Sequence, residues 1–291
     1  MSPLGDEVGV AGAFVWLNGR LVPEAHATIG IWEPGCVYGE GLFETLRVYD
    51  GTPFRLRDHL KRLRQGAKAL GWQVLLPDAT FAAAARRTIV ANRCRDGVLR
   101  IIVLVTDRRV VSLHVTPRLP YPLELAERGC SAVTIGLQPS LGGAFRAPVK
   151  VTSYVAYRVA LHQAQRRGAD EGLFVDRFGR LAEGTRSSIF IVSPRGQIVT
   201  PPLASGILAG VTRQVVFELA RRLRFPIAER PIALQQLFNA REAFLTSSLL
   251  EVAPLVRVDA RRIASGKPGP VTRRLQDAYS RLVQAVASAN H

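Results

Sequence analysis

Lys150 is one of four lysines in a chain whose 39 basic residues are otherwise arginine. The two side chains differ in what they can do. A guanidinium keeps its proton, whereas a lysine amine can lose it and attack an aldehyde to form a Schiff base. Lys150 stands at the mouth of an apolar segment, Ala147–Ala156. Downstream, Glu183-Gly184-Thr185 leads into the apolar run Ser188–Val192, and a carboxylate there could pair with a protonated ring nitrogen. Gly206–Arg213 (GILAGVTR) then runs into a helical pattern, Val211–Leu223. The N–H groups and dipole at such a helix start suit a phosphate. Thr246-Ser247-Ser248 adds three hydroxyls at the end of a short strand. Singly, each feature has a plainer reading: a lysine closing a strand, a surface acid, a helix cap, a turn.

The elements that must position these residues follow from periodicity and turn chemistry. Phe14–Leu17, Asn18–Gly19 and Arg20–Val22 read as strand, tight turn and strand, because Asn-Gly supplies the positive φ angles of a hairpin. Leu42–Tyr49, Asp50–Gly51 and Pro53–Leu56 repeat the device. Asp58–Leu70 places Leu60, Leu63, Ala67 and Leu70 on one helical face and stops at Gly71. A second helix is expected over Ala79–Asn92, then strands at Val98–Val105 and Val110–Val115. Leu137–Pro148 is rich in Gly and Pro without periodicity and reads as a linker. Beyond it, helices are expected at Tyr154–Arg167, Val211–Leu223 and Val271–Ala287, and strands at Gly172–Val175, Ser188–Val192 and Glu242–Thr246. The sum is an α+β protein with a smaller N-terminal domain (1–136), a linker (137–148) and a larger C-terminal domain (149–291).

Composition removes several classes. With 47% hydrophobic and 21% charged residues the chain is an ordinary globular protein. Its apolar runs, such as Gly97–Thr106, fall short of the roughly 20 residues that span a bilayer, and Met1–Gly9 has no secretory pattern. No membrane association is expected. Cys36, Cys94 and Cys130 are too far apart for a zinc site and odd in number for a disulfide framework, which points to a reducing, cytoplasmic setting with no metal. The net charge of +16 comes from arginines scattered in pairs such as Arg86–Arg87 and Arg221–Arg222. That is a solvated surface rather than the stripe of a nucleic-acid binder.

Taken in order, the blocks resemble the class IV aminotransferases. Tyr38–Asp50 (YGEGLFETLRVYD) is similar to the family's N-terminal signature, Lys150–Gly168 to its lysine segment, and Gly172–Val192 (GLFVDRFGRLAEGTRSSIFIV) to its central signature. Gly206–Arg213 and Phe244–Pro254 resemble its two later blocks, and Ser265–Thr272 the tail of D-amino-acid aminotransferases. The likeness runs from about Phe14 to Tyr279. It implies a two-domain fold type IV enzyme dependent on pyridoxal 5'-phosphate, and a homodimer with each active site between the domains.

Residue by residue, the resemblance implies that Lys150 holds the cofactor and moves a proton at the substrate Cα. Glu183 would contact the pyridine nitrogen. Arg62 would bind the phosphate bidentately, helped by the N–H groups of Val211 and Thr212 and the Ser248 hydroxyl. Tyr154 matches a tyrosine that branched-chain enzymes place near the cofactor's phenolic oxygen, one residue nearer the lysine; a core aromatic is the alternative. Phe43 and Leu249, with Leu250, suggest an apolar wall for the substrate side chain. Where D-amino-acid enzymes grip the substrate carboxylate with Thr-Arg-Gly, this chain has Thr106-Asp107-Arg108. Either Arg108 or Arg100 would serve. Ser188 stands where the family has asparagine, Arg186 where it has a small residue, and Thr45 breaks the branched-chain Phe-Glu-Gly. The expected activity is transfer of an amino group to a 2-oxo acid from an amino acid or primary amine with a hydrophobic side chain, a D- or R-configured donor being among the candidates. The alternative is a lyase similar to 4-amino-4-deoxychorismate lyase, making p-aminobenzoate and pyruvate.

Overall fold

Residue pairs with positive φ set the first sheet. Strand β1 (Phe14–Leu17) turns through Asn18 and Gly19, at φ 44° and 101°, into β2 (Arg20–Pro23). After a short helix α1 (Pro34–Val37), β3 (Gly41–Tyr49) turns through Asp50 and Gly51 into β4 (Thr52–Pro53). The first hairpin stands where Asn-Gly predicted it; the second turns at Asp50-Gly51 as expected, but its return strand is Thr52–Pro53 rather than Pro53–Leu56, because Leu56 opens the helix that follows. Helices α2 (Leu56–Ala69) and α3 (Asp78–Ala91) follow, then strands β5 (Gly97–Leu104) and β6 (Val110–Thr116). The computed structural model describes residues 13–73, 76–105, 110–117, 124–136 and 149–288. The expected linker and the Thr106–Arg108 run lie outside the described residues.

These strands form one antiparallel sheet in the order β2-β1-β6-β5-β3-β4. Along β3 the side chains alternate as a half-buried strand requires. Leu42, Glu44, Leu46 and Val48 are buried, and Phe43, Thr45, Arg47 and Tyr49 take the other face. Helix α2 packs on β3, and Leu60, Leu63 and Ala67 bury the face that the helical spacing predicted, against Leu42, Leu46 and Phe81. The helix begins two residues earlier than its periodicity suggested: the N–H groups of Asp58 and His59 donate to the Arg55 carbonyl and close its first turn.

The remaining elements are α4 (Glu124–Arg128), β7 (Cys130–Gly136), α5 (Val155–Arg166), β8 (Glu171–Val175), β9 (Leu181–Gly184), β10 (Ser188–Val192) and β11 (Ile198–Thr200). Then come α6 (Val211–Arg222), β12 (Ile227–Glu229), α7 (Leu234–Phe238), β13 (Glu242–Ser247), β14 (Glu251–Val258), β15 (Arg261–Arg262) and α8 (Pro270–Ser288). The second sheet runs β12-β11-β10-β13-β14-β7-β8-β9, with β15 on β14. It is mixed: β7 lies parallel to both β14 and β8. All five residues of β10 are buried, which explains why that strand reads as a continuous apolar run rather than an alternation.

By its contacts the chain divides into two units. One comprises Met1–Pro120, Val149–Tyr154 and Val283–His291; the other comprises Tyr121–Pro148 and Val155–Leu282. The segment carrying Lys150 therefore groups with the first sheet, and Cys130–Gly136 is a strand of the second. No helix among the described residues is long and apolar enough to cross a membrane.

Candidate active site

In the first unit Lys150 is held by backbone bonds to the start of β3. The Phe43 N–H donates to the Lys150 carbonyl at 3.1 Å, and the Thr152 N–H donates to the Gly41 carbonyl at 2.9 Å. The Thr152 hydroxyl adds a bond to the Gly39 carbonyl at 2.7 Å. This seats the amine on aromatic faces, with Nζ 4.3 Å from the centre of the Phe43 ring and 5.5 Å from that of Tyr154. The two rings meet edge to face, 5.5 Å apart. Phe43, Tyr154 and Lys150 thus form one cluster, and the apolar position of the lysine has its reason. Arg100 pairs across strands with Thr45 and so shares the sheet face of Phe43.

The approach is close enough to require glycine at 41. A Cβ there would lie 2.6 Å from Leu104 Cδ2, 2.7 Å from Thr152 Oγ1 and 2.9 Å from the Val103 carbonyl oxygen. Gly41→Ala is expected to destabilise the protein by about 1–3 kcal/mol through overpacking. It should also displace Lys150, because Thr152 must move. Urea denaturation, followed alongside cofactor retention, measures both.

Arg62 makes its bidentate contact inside the protein. Its Nε donates to Glu44 Oε1 at 2.8 Å and its Nη2 to Glu44 Oε2 at 2.6 Å, while His59 Nδ1 lies 2.7 Å from the same Oε2. Glu44 and His59 are both 1% exposed. Burial works to raise the Glu44 carboxyl, but the Arg62 charge and the bonds from Arg62 and His59 outweigh it and bring it down to about 2. Burial lowers His59, and the charges of Arg62 and Lys150 act in the same sense against the raising effect of Glu44. Arg62 thus gives its Nε and Nη2 hydrogens to Glu44. In the sequence Glu44 stands only as part of a matched motif, and His59 belongs to none. The available signal was polar residues on apolar phases: Glu44 within the buried alternation of β3, and His59 beside Leu60 on the packed face of α2.

In the second unit Glu183 occupies β9 and is 8% exposed. Its Oε1 accepts from the Tyr157 hydroxyl at 3.3 Å and its Oε2 from the Leu208 N–H at 3.0 Å. A second buried carboxylate, Glu171, secures the turn after it. It accepts from the hydroxyls of Thr185 and of Ser187, the latter at 3.0 Å. Arg186, within that turn, donates to the Asp170 carbonyl at 3.3 Å. Val211 and Thr212 open α6, whose N-cap, Gly210, offers no side-chain cap. A Cβ at Gly210 would come within 2.9 Å of Ser188 Oγ. Across the sheet Ser188 pairs with Thr246, whose hydroxyl is buried without a hydrogen-bond partner among the described residues. Ser248 and Leu249 follow β13, both half-buried, whereas Leu250 packs into the core of this unit.

A model of the class IV amino-transferases matches residues 41–258, from the start of β3 to the end of β14. The chain belongs to the class IV aminotransferase family. It is similar to a Methanocaldococcus jannaschii protein assigned as a branched-chain-amino-acid aminotransferase, with 33% identity over 276 residues, 91% of this chain and 94% of that one. It is also similar to the D-alanine aminotransferase of Bacillus licheniformis, with 31% identity over 277 residues, 91% and 95% of the two chains. Among solved structures it is similar to the T.th. branched-chain amino acid aminotransferase with pyridoxamine 5'-phosphate (TM-score 0.87, 27% identity, 94% of each chain).

Class IV aminotransferases use pyridoxal 5'-phosphate, and the residues of this member fit that group. A primary amine is seated on aromatic rings, a buried carboxylate has both oxygens oriented, a helix start lacks a side-chain cap, and among the described residues the buried Thr246 hydroxyl has no hydrogen-bond partner. Among the described residues no cluster of three or more potential metal ligands occurs.

Proposed function

We propose that this class IV member is a pyridoxal-phosphate aminotransferase that moves an amino group between an amino acid or primary amine and a 2-oxo acid. The observation that carries the reading is the Lys150 amine, fixed against Phe43 and Tyr154 by its backbone bonds to β3. Lys150 would bind the cofactor covalently and move a proton at the substrate Cα. Glu183 would face the ring nitrogen. The N–H groups of Val211 and Thr212, the Ser248 hydroxyl and Arg62 would bind the phosphate, with Glu44 holding Arg62 in place. When bound, the cofactor supplies an electron-withdrawing ring that stabilises charge at Cα. Phe43 and Leu249 favour an apolar substrate side chain, and Arg100 or Arg108 would meet a substrate carboxylate.

Supporting the expected homodimer, Ile31, Trp32 and Tyr38 are 69%, 85% and 71% exposed within one short stretch of the first unit. An apolar patch of that kind calls for cover, and a second copy would provide it. Three free thiols, Cys36 among them exposed, support a reducing cytoplasm.

The deciding experiment is a half-reaction. The loaded enzyme is mixed with single L- or D-amino acids or (R)-amines and no acceptor. Conversion of the cofactor band to that of pyridoxamine phosphate is expected, and the donor that works reveals the preferred hand. If no donor converts it, while aminodeoxychorismate yields p-aminobenzoate and pyruvate, the protein is a lyase instead.

A further inference from the structure

Tyr157 lies inside the matched Lys150–Gly168 segment but has no role assigned to it there, yet it touches the residue expected at the cofactor's ring nitrogen. It lies in the first turn of α5, with its ring edge-on to Phe174 at 5.3 Å and its hydroxyl 3.3 Å from Glu183 Oε1. Around the ring are Ala160, Phe174, Ala182 and Ile207, all buried and apolar. A phenylalanine would fill that space as well, so packing explains the ring and leaves the hydroxyl unexplained. Burial first, and then the neighbouring Glu183 carboxylate, raise the phenol well above its ordinary range and keep it a donor. The Leu208 N–H also donates to this carboxylate, at Oε2.

We propose that Tyr157 is a positioning residue for Glu183: its hydroxyl fixes the carboxylate's orientation and draws charge from it, which limits how firmly Glu183 holds a proton on a pyridine nitrogen. A carboxylate that accepts fewer donors is a stronger base. Removing the hydroxyl should therefore strengthen the hold on that proton. The inference rests on the reading that Glu183 faces the ring nitrogen.

The test loads wild-type protein, Tyr157→Phe and Glu183→Gln with pyridoxal phosphate labelled with 15N in the ring, and compares the 15N resonance at one neutral pH. Tyr157→Phe keeps the ring against Phe174 and should fold as the wild type does. Its resonance is expected to move toward the position of a fully protonated pyridinium. An unmoved resonance, or a shift toward neutral pyridine, overturns the proposal. Glu183→Gln should shift the signal toward neutral pyridine. If it leaves the signal in place, the placement of Glu183 at the nitrogen has failed, whatever Tyr157→Phe does.

Discussion

Lys150→Ala is expected to abolish covalent cofactor and turnover together, with activity falling by at least about 10⁴-fold. That is the upper range for losing an acid–base group, and here the same amine also forms the covalent link. The fold should survive. The bond from the Phe43 N–H is accepted by the Lys150 backbone carbonyl, which alanine retains, and the Thr152 bonds to Gly41 and Gly39 do not involve the lysine side chain. The measurement is the visible cofactor band, followed by borohydride reduction and peptide mass mapping. Only Lys61, Lys68 and Lys267 could substitute. A reducible link found at any of them in wild-type protein would sink the assignment.

Glu44→Ala should produce the largest loss of stability, about 3–5 kcal/mol, since it strands the Arg62 guanidinium without its buried counter-ion. The same carboxylate sets an acid limit. Its pKa is about 2 in the fold against 4.5 ordinarily, which corresponds to about 3 kcal/mol of stability. A lowered carboxyl contributes in full above its unfolded pKa and loses that contribution as pH falls through the folded value. The window therefore lies from about pH 4.5 down to about 2. His59 acts earlier in the same direction. Its folded pKa is lowered, so below about pH 6.5 the unfolded chain takes up the proton more readily and stability starts to decline. Urea midpoints for wild type and Glu44→Gln from pH 7 to pH 2.5 measure both effects. Glu44→Gln should be less stable at neutral pH yet flatter below 4.5, and an equally steep acid decline in the two proteins would exclude Glu44 as its source.

How much of this was legible depended on whether a feature was local. The hairpins at Asn18-Gly19 and Asp50-Gly51 were readable because their turn chemistry is local, and the packed face of α2 because its period is. Strands β7, β9, β11, β12 and β14 carry no comparable local signal. They are short or buried in a mixed sheet, where neighbours rather than alternation select the conformation. The candidate site divides in the same way. Lys150 stood out by residue type, and Glu183 by its place in a matched block. Glu44, His59 and Tyr157 act through partners distant in sequence, and no local pattern announces which partner a buried polar residue will find.

Pairing the edge at Gly41 with Thr152 has a consequence for how the chain is made. The Thr152 hydroxyl bonds to the Gly39 carbonyl across 113 residues of sequence. At roughly 5–20 residues per second of synthesis, the Gly39–Gly41 edge leaves the ribosome about 6–23 s before its partner exists. For that interval an apolar strand edge is uncovered in the nascent protein, open to pairing with another chain. Heterologous expression should therefore lose less material to inclusion bodies at low messenger density, where neighbouring nascent chains seldom meet.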